Sequence, residues 1–270
     1  MTSRKTVLLA TTLLFAAGTA FAQDVAREDT VIFDLDRTIK DPANFNWFTP
    51  GTKRMHGAHQ AMWEPLFILN YGTGELDPWL ATGFEGNADS TEFTITLREG
   101  VEWSDGETMN ADDLIFTVEM ALGNEEISSR EAATIRAQVA SVEKVDDLTV
   151  RFALSAPNPR FVVENFGVRI FGSFLVMPEH VWAGEDPATF ANGTPIGTGP
   201  YILTSAATNR AIWDRNDDWL VAMSCARLSS PPVSSQISRC GSGKSMKPVL
   251  APHQSSFRSQ IARFVAAEVR

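Results

Sequence analysis

A chain of 270 residues, 44% of them hydrophobic and 21% charged, can bury a substantial core and is too mixed to be fibrous or wholly disordered. Its 23 Lys and Arg against 33 Asp and Glu leave a formal net charge of −10, which argues against a nucleic-acid binder, since such proteins need a basic face to meet phosphates. The charge is spread unevenly: 16 basic and 32 acidic residues stand up to Leu220, and 7 basic and 1 acidic after it. Serine and both cysteines, Cys225 and Cys240, also concentrate in that last stretch.

Arg4 and Lys5 precede an apolar run over residues 7–15, and Ala20-Phe21-Ala22 meets the small-x-small requirement of a secretory cleavage site. Residues 1–22 therefore read as a signal peptide, because the run is short and interrupted for spanning a bilayer of roughly 30 Å. A soluble periplasmic or secreted protein is expected.

Downstream, Phe93, Ile95 and Leu97 alternate with Thr94, Thr96 and Arg98, which predicts a half-buried strand. Val101 and Trp103 continue the alternation past Glu99-Gly100, and Ser104-Asp105-Gly106 turns the chain again. Asn110 is placed to cap a helix whose first turn carries Asp112 and Asp113 and whose end is Gly123-Asn124. Leu114, Val118, Ala121 and Leu122 give that helix one apolar face. A hairpin is expected over residues 139–154, turning at Asp146-Asp147. Residues 161–177 are apolar up to Pro178, and Pro195-Ile196-Gly197-Thr198-Gly199-Pro200 is a turn that feeds a strand from Tyr201. From residue 224 to 245 neither a two-residue nor a 3.6-residue period survives; only residues 257–269 offer a weak helix. The pattern is α/β without regular βαβ alternation.

Chemistry is sought with little return. There is no Gly-x-Ser-x-Gly elbow, and the two cysteines lie in the unpatterned tail, as unpaired thiols or an opportunistic bridge. His56 and His59 have the spacing of metal ligands on a helix, but no carboxylate or cysteine accompanies them, so neither a metal nor a cofactor is expected. The acidic doublets Asp112-Asp113, Asp146-Asp147 and Asp217-Asp218 read as a helix start, a hairpin turn and a loop. The aromatic set Trp47, Phe48, Trp63, Trp79 and Trp103 is a stronger signal, because sugar and peptide sites use such rings. Trp47, Phe48 and Trp63 are the expected ligand-facing residues.

The run from Glu92 to Glu119, with its Phe-x-Ile-x-Leu-Arg strand, Gly-Val-x-Trp-Ser-Asp-Gly turn and Asn-Ala-Asp-Asp helix start, resembles the hallmark segment of family 5 extracellular solute-binding proteins, the peptide/nickel class of ABC transporter receptors. Met62-Trp63-Glu64-Pro65-Leu66, Met177-Pro178-Glu179-His180-Val181-Trp182, Gly197-Thr198-Gly199-Pro200-Tyr201 and Arg215-Asn216-Asp217-Asp218-Trp219 extend the likeness over about residues 31–219. The resemblance implies a periplasmic-binding-protein-like α/β fold, with lobe I in residues 23–219 and a disordered or aberrant tail in 220–270. It also implies a monomeric receptor that performs no chemistry, takes a small peptide in its cleft and delivers it to an ABC permease in the inner membrane. An oligosaccharide receptor of the same family is the alternative, nickel or its chelates are a further ligand class, and an exported hydrolase using His56 or His59 is the rival from another class.

Members of that family are about twice this length, and the likeness, the acidic composition and the absence of cysteine all end near Trp219. A shifted reading frame followed by early termination accounts for all three, and a chain lacking much of its receptor should bind ligand weakly. Limited proteolysis is expected to cut first close to Leu220; a stable full-length product with micromolar or better ligand binding would show the tail to be part of a working protein.

Overall fold

The computed structural model describes residues 41–49, 61–168, 174–208 and 210–219, all of them within one compact unit, 37–270. The signal-peptide reading of residues 1–22, His56, His59 and the tail from Leu220 lie outside the described residues.

The strand predicted from alternation is the spine. Strands β1 (Phe67–Leu69), β2 (Leu76–Pro78), β3 (Ala81–Gly86) and β4 (Glu92–Leu97) come first; in β4 Phe93, Ile95 and Leu97 are buried while Thr94 is half-buried and Thr96 exposed. The hairpin β5 (Val139–Asp146) and β6 (Thr149–Leu154) adds to β4, giving an antiparallel sheet of order β3-β4-β6-β5. Register shifts at Val139/Ser141 and Lys144/Asp146 twist the edge strand β5, and its Lys144 and Glu143 put charge on that edge, which discourages further pairing. Leu148 N donates to Asp146 Oδ1 (2.9 Å) in the turn, and this donor with Thr149 holds the Asp146 carboxyl below the usual carboxylate range.

Helix α1 (Ala111–Gly123) buries Leu114, Val118 and Ala121 as its sequence predicts, with Leu122 half-buried at the margin. Asn110 caps it through a capping box closed by Asp113. The doublet divides its work. Asp112 meets Lys144 at the surface (2.8 Å), whereas buried Asp113 accepts from Asn110 N (3.0 Å), Trp103 Nε1 (3.3 Å) and Glu179 N (2.8 Å). The longest helix absent from the sequence reading is α2 (Arg130–Gln138), which is capped by Ser129 and buries only Ala132 and Ile135, too few apolar positions to announce a period. Val101 and Trp103 are buried, but the expected strand there is reduced to a bridge between Glu102 and Thr108.

The apolar run 161–177 breaks into α3 (Phe161–Asn165), β7 (Gly167–Val168) and an extended stretch at 174–178, followed by α4 (Glu179–Trp182). Strand β7 runs parallel to β1 in a second sheet of order β2-β1-β7. Between the layers a train of rings runs from Phe93 through Phe161, Phe166 and Phe174 to Phe48 and Trp182, with centroids 5.4 to 6.2 Å apart and mostly tilted or edge-to-face. The third sheet is the hairpin β8 (Tyr201–Ala207) and β9 (Arg210–Arg215).

Replacing Asp113 by alanine strands three N–H donors, one of them from a residue 66 positions away, and is expected to lower stability by about 1–3 kcal/mol. Asp112→Ala, which removes a surface pair, should cost about 1 kcal/mol or less. Urea titration of both variants checks the contrast.

Candidate functional site

The site is organised where the Gly-Thr-Gly turn meets residues 61–64. Gly199 N donates to Met62 O (2.7 Å), Trp63 Nε1 to Ile196 O (2.8 Å), and Ser104 N to Gly197 O (2.9 Å). A Cβ on Gly197 would collide with the Met62 carbonyl, and one on Gly199 with the Ala61 carbonyl. These glycines are required by close backbone approach, not by a positive φ. Pro200 leads directly into the strand β8, so the turn enters a strand, as its sequence predicts.

Glu64 is 6% exposed in the middle of this junction. Its Oε1 accepts from Trp79 Nε1 (2.8 Å), and the Thr198 hydroxyl lies alongside. The Trp219 indole faces the same carboxylate without closing a hydrogen bond of good geometry. Arg98 donates from Nε to Trp79 O (2.7 Å) and adds its charge nearby. Burial outweighs these stabilising contacts and pushes the Glu64 carboxyl up to about 7. A small cavity of about 50 Å³ adjoins it, with Arg98, Glu102, Trp103, Asn216 and Asp218 in its wall.

A larger, open cavity of about 300 Å³ lies between Pro42-Ala43, Gly193-Thr194 and residues 203–206 of β8. The segment that follows Pro42-Ala43 is tied to the one that precedes Gly193 by Asn46, whose Nδ2 donates to Pro187 O (2.9 Å) and Phe190 O (2.6 Å) and whose Oδ1 accepts from Phe48 N (2.7 Å), while Phe45 N donates to Ala191 O (2.8 Å). Among the described residues β8 pairs only with β9, which leaves its other edge unpaired, and Thr194 and Ser205 bring hydroxyl-bearing side chains to the cavity lining.

The three aromatic residues singled out from the sequence lie in the core: Trp47 is 3% exposed, Phe48 1% and Trp63 3%. Trp47 and Trp63 stack edge-to-face at 6.4 Å, and Phe48 packs on Trp182 and Phe174. The structure brings Trp47 and Trp63 together but leaves neither ring openly presented. Asn46 and Glu64, not singled out from sequence, organise the region. The legible signal for Glu64 was an acid inside the apolar Met62-Trp63-Glu64-Pro65-Leu66 run; Asn46 gave none. His180 Nε2 meets Asp105 Oδ2 at 2.8 Å near the surface. Among the described residues no group of three His, Cys, Asp or Glu could hold a metal, and no helix is long and apolar enough to cross a membrane.

Residues 75–237 match the bacterial extracellular solute-binding proteins, family 5 (middle region). The chain belongs to this family. The matched range runs past Trp219 into the serine-rich stretch. An ABC transporter peptide-binding protein of Brucella ovis is 33% identical over 143 residues, which is 51% of this chain and 25% of that one; a binding protein of Brucella melitensis is 33% identical over 46% of this chain and 19% of its own length. The chain thus spans about a fifth to a quarter of these relatives. Among solved structures, the periplasmic oligopeptide-binding protein of Thermotoga maritima is 29% identical with a TM-score of 0.52, covering 61% of this chain and 30% of that one. NikA of Brucella suis, in complex with Fe(III)-EDTA, is 25% identical with a TM-score of 0.54 over 69% of this chain and 36% of its own. The fold of this family 5 chain is accordingly periplasmic-binding-protein-like.

The buried Glu64 links stability to pH. Its folded pKa lies above the ordinary 4.5, so the folded state holds a proton that the unfolded chain has released between those values. Stability is full below pH 4.5 and falls as pH rises towards 7, by up to about 3 kcal/mol. Urea unfolding of Glu64→Gln, which mimics the protonated acid, should show most of this slope removed; an unchanged slope would place the linkage elsewhere.

Proposed function

We propose that the chain is the solute-binding part of an ABC importer for di- and oligopeptides, exported to the periplasm, working as a monomer with an inner-membrane permease, and acting by binding without chemistry. The observation that carries the peptide reading is the open edge of β8 beside the 300 Å³ cavity. A strand edge offers alternating N–H and C=O groups, which an extended peptide main chain can pair with whatever its side chains are. Relatives named for peptide binding support the same class.

An oligosaccharide is the second reading, favoured by one observation: the Thermotoga maritima oligopeptide-binding protein has also been solved with mannohexaose bound, at 30% identity and a TM-score of 0.50 over 58% of this chain. Hydroxyl-bearing Thr194, Thr204 and Ser205 around the cavity suit sugar hydroxyls as well as amides. The hydrolase reading rested on His56 and His59 and gains no support from the site.

Trp47, Phe48 and Trp63 are retained as proposed ligand contacts through the small fraction of surface each leaves open. In this reading the 270-residue chain alone holds ligand weakly, because a cleft receptor gains affinity by enclosing ligand from both sides. Isothermal calorimetry with pools of di- to pentapeptides and with mannohexaose tests the proposal. Heat from peptides alone supports it, heat from mannohexaose alone replaces it with the second reading, and turnover of an ester or peptide substrate sinks both. For the aromatics, Trp63→Phe shortens the ring and deletes the bond to Ile196 O, so the unfolding midpoint should fall somewhat; a several-fold loss of peptide affinity, measured where the variant is fully folded, is expected, and no loss removes Trp63 from the site.

A further inference from the structure

The hairpin of β8 and β9 stands apart from the rest of the chain in how it is held. Among its described residues none is fully buried, and only Leu203, Ala206 and Trp213 pack partly on the core. The Trp213 indole N–H is out of water with no partner, so the hairpin's docked face is imperfectly satisfied. Such an element belongs to the low-stability end of a fold and opens locally before the body does.

What fixes it is its root. One foot is Gly197–Pro200, clamped on Met62, with Thr198 against Glu64; the other is Asn216–Trp219, where Asn216 N donates to Pro200 O (2.8 Å), Asn216 Nδ2 to Gly199 O (3.3 Å), and Trp219 closes over Glu64. Both feet therefore meet at a single buried carboxyl group. We infer that Glu64 is a proton-operated latch: with the acid protonated both feet seat on it, and with the carboxylate ionised the hairpin lifts to let water reach the charge.

The cause is the unequal cost of burying the two forms. A neutral acid can remain between Trp79, Thr198 and Trp219, whereas for the carboxylate the donors on these residues and the charge of Arg98 do not offset the loss of water. Hydrating the carboxylate requires the feet to part, with buried Thr198 and Asn216 leaving their places, and the weakly held hairpin between them moves with the feet. The charged groups on the surrounding elements are Arg98, Glu102 and Asp105 from the 98–106 segment, and Arg215, Asp217 and Asp218 from the hairpin's exit. Arg98 opposes opening; Glu102 and Asp218, in the wall of the same cavity, favour it. His180 bonds to Asp105 and not to Glu64, so it serves as a control. Because β8 is a wall of the larger cavity, lifting also changes that cavity's shape. This consequence rests on the receptor reading; the latch itself does not.

Hydrogen exchange of the full chain by mass spectrometry, without ligand, at pH 5 and pH 8.5 and corrected for intrinsic rates, tests the latch independently of any ligand result. Opening of residues 201–215 is expected to rise by between about ten- and a hundredfold at the higher pH, while β4 and β6 stay protected. Glu64→Gln should abolish the rise and His180→Gln should leave it. If Glu64→Gln does not fold, Trp79→Phe provides the second reading: losing a donor to the carboxylate should move the transition to higher pH. The latch is overturned if hairpin exchange is flat with pH, if β4 and β6 open together with it, if the rise survives in Glu64→Gln, or if Trp79→Phe leaves the midpoint in place or lowers it.

Discussion

The contact on which the rest of this chain depends is the backbone-to-backbone approach of Gly197 and Gly199 to residues 61–62. It brings together segments more than 130 residues apart with no side chain between them, and the Trp63 bond to Ile196 O and the Ser104 bond to Gly197 O fix its register. The described residues after Pro200 take their position from this junction. So does Glu64, which is carried into the interior because its neighbours Met62, Trp63 and Leu66 must be buried.

Two buried carboxylates illustrate how placement decides behaviour. Asp113 sits at a helix start, where three N–H donors converge on it, and ties α1 to the loop carrying Trp103 and to α4. Glu64 is approached by the side chains of Trp79, Thr198 and Trp219 and by the charge of Arg98, but burial outweighs them and its proton is held more tightly. The first is a fixed strut, the second a titratable joint. Both belong to one acidic chain, and the composition does not distinguish them.

The aromatic residues play a similar double part. Rings bury large area and also serve ligand sites, so Trp47, Phe48 and Trp63 carried the same sequence signature under either use. In the fold Phe48 joins the train of rings at Phe174 and Trp182, while Trp47 and Trp63 pair with each other beside the glycine turn.

Local order was legible in the sequence wherever it is written in a short period. The alternation of Phe93, Ile95 and Leu97, the Asn110 cap with its acidic first turn, the Asp146-Asp147 hairpin and the glycine turn before Tyr201 all depend on neighbours within a few residues, and all appear in the structure. The family motifs lie in these same segments, which is why membership could be read from them. Helix α2 was not legible, since two buried residues behind a serine cap carry almost no periodic signal. The roles of Asn46 and Glu64 were hidden for a different reason: each partners groups brought from far along the chain, 133 to 144 residues away for Asn46 and the neighbouring Trp63. Only the tertiary structure decides such contacts, because burial and hydrogen bonding of a polar group depend on what the fold sets against it and not on the residues beside it in sequence.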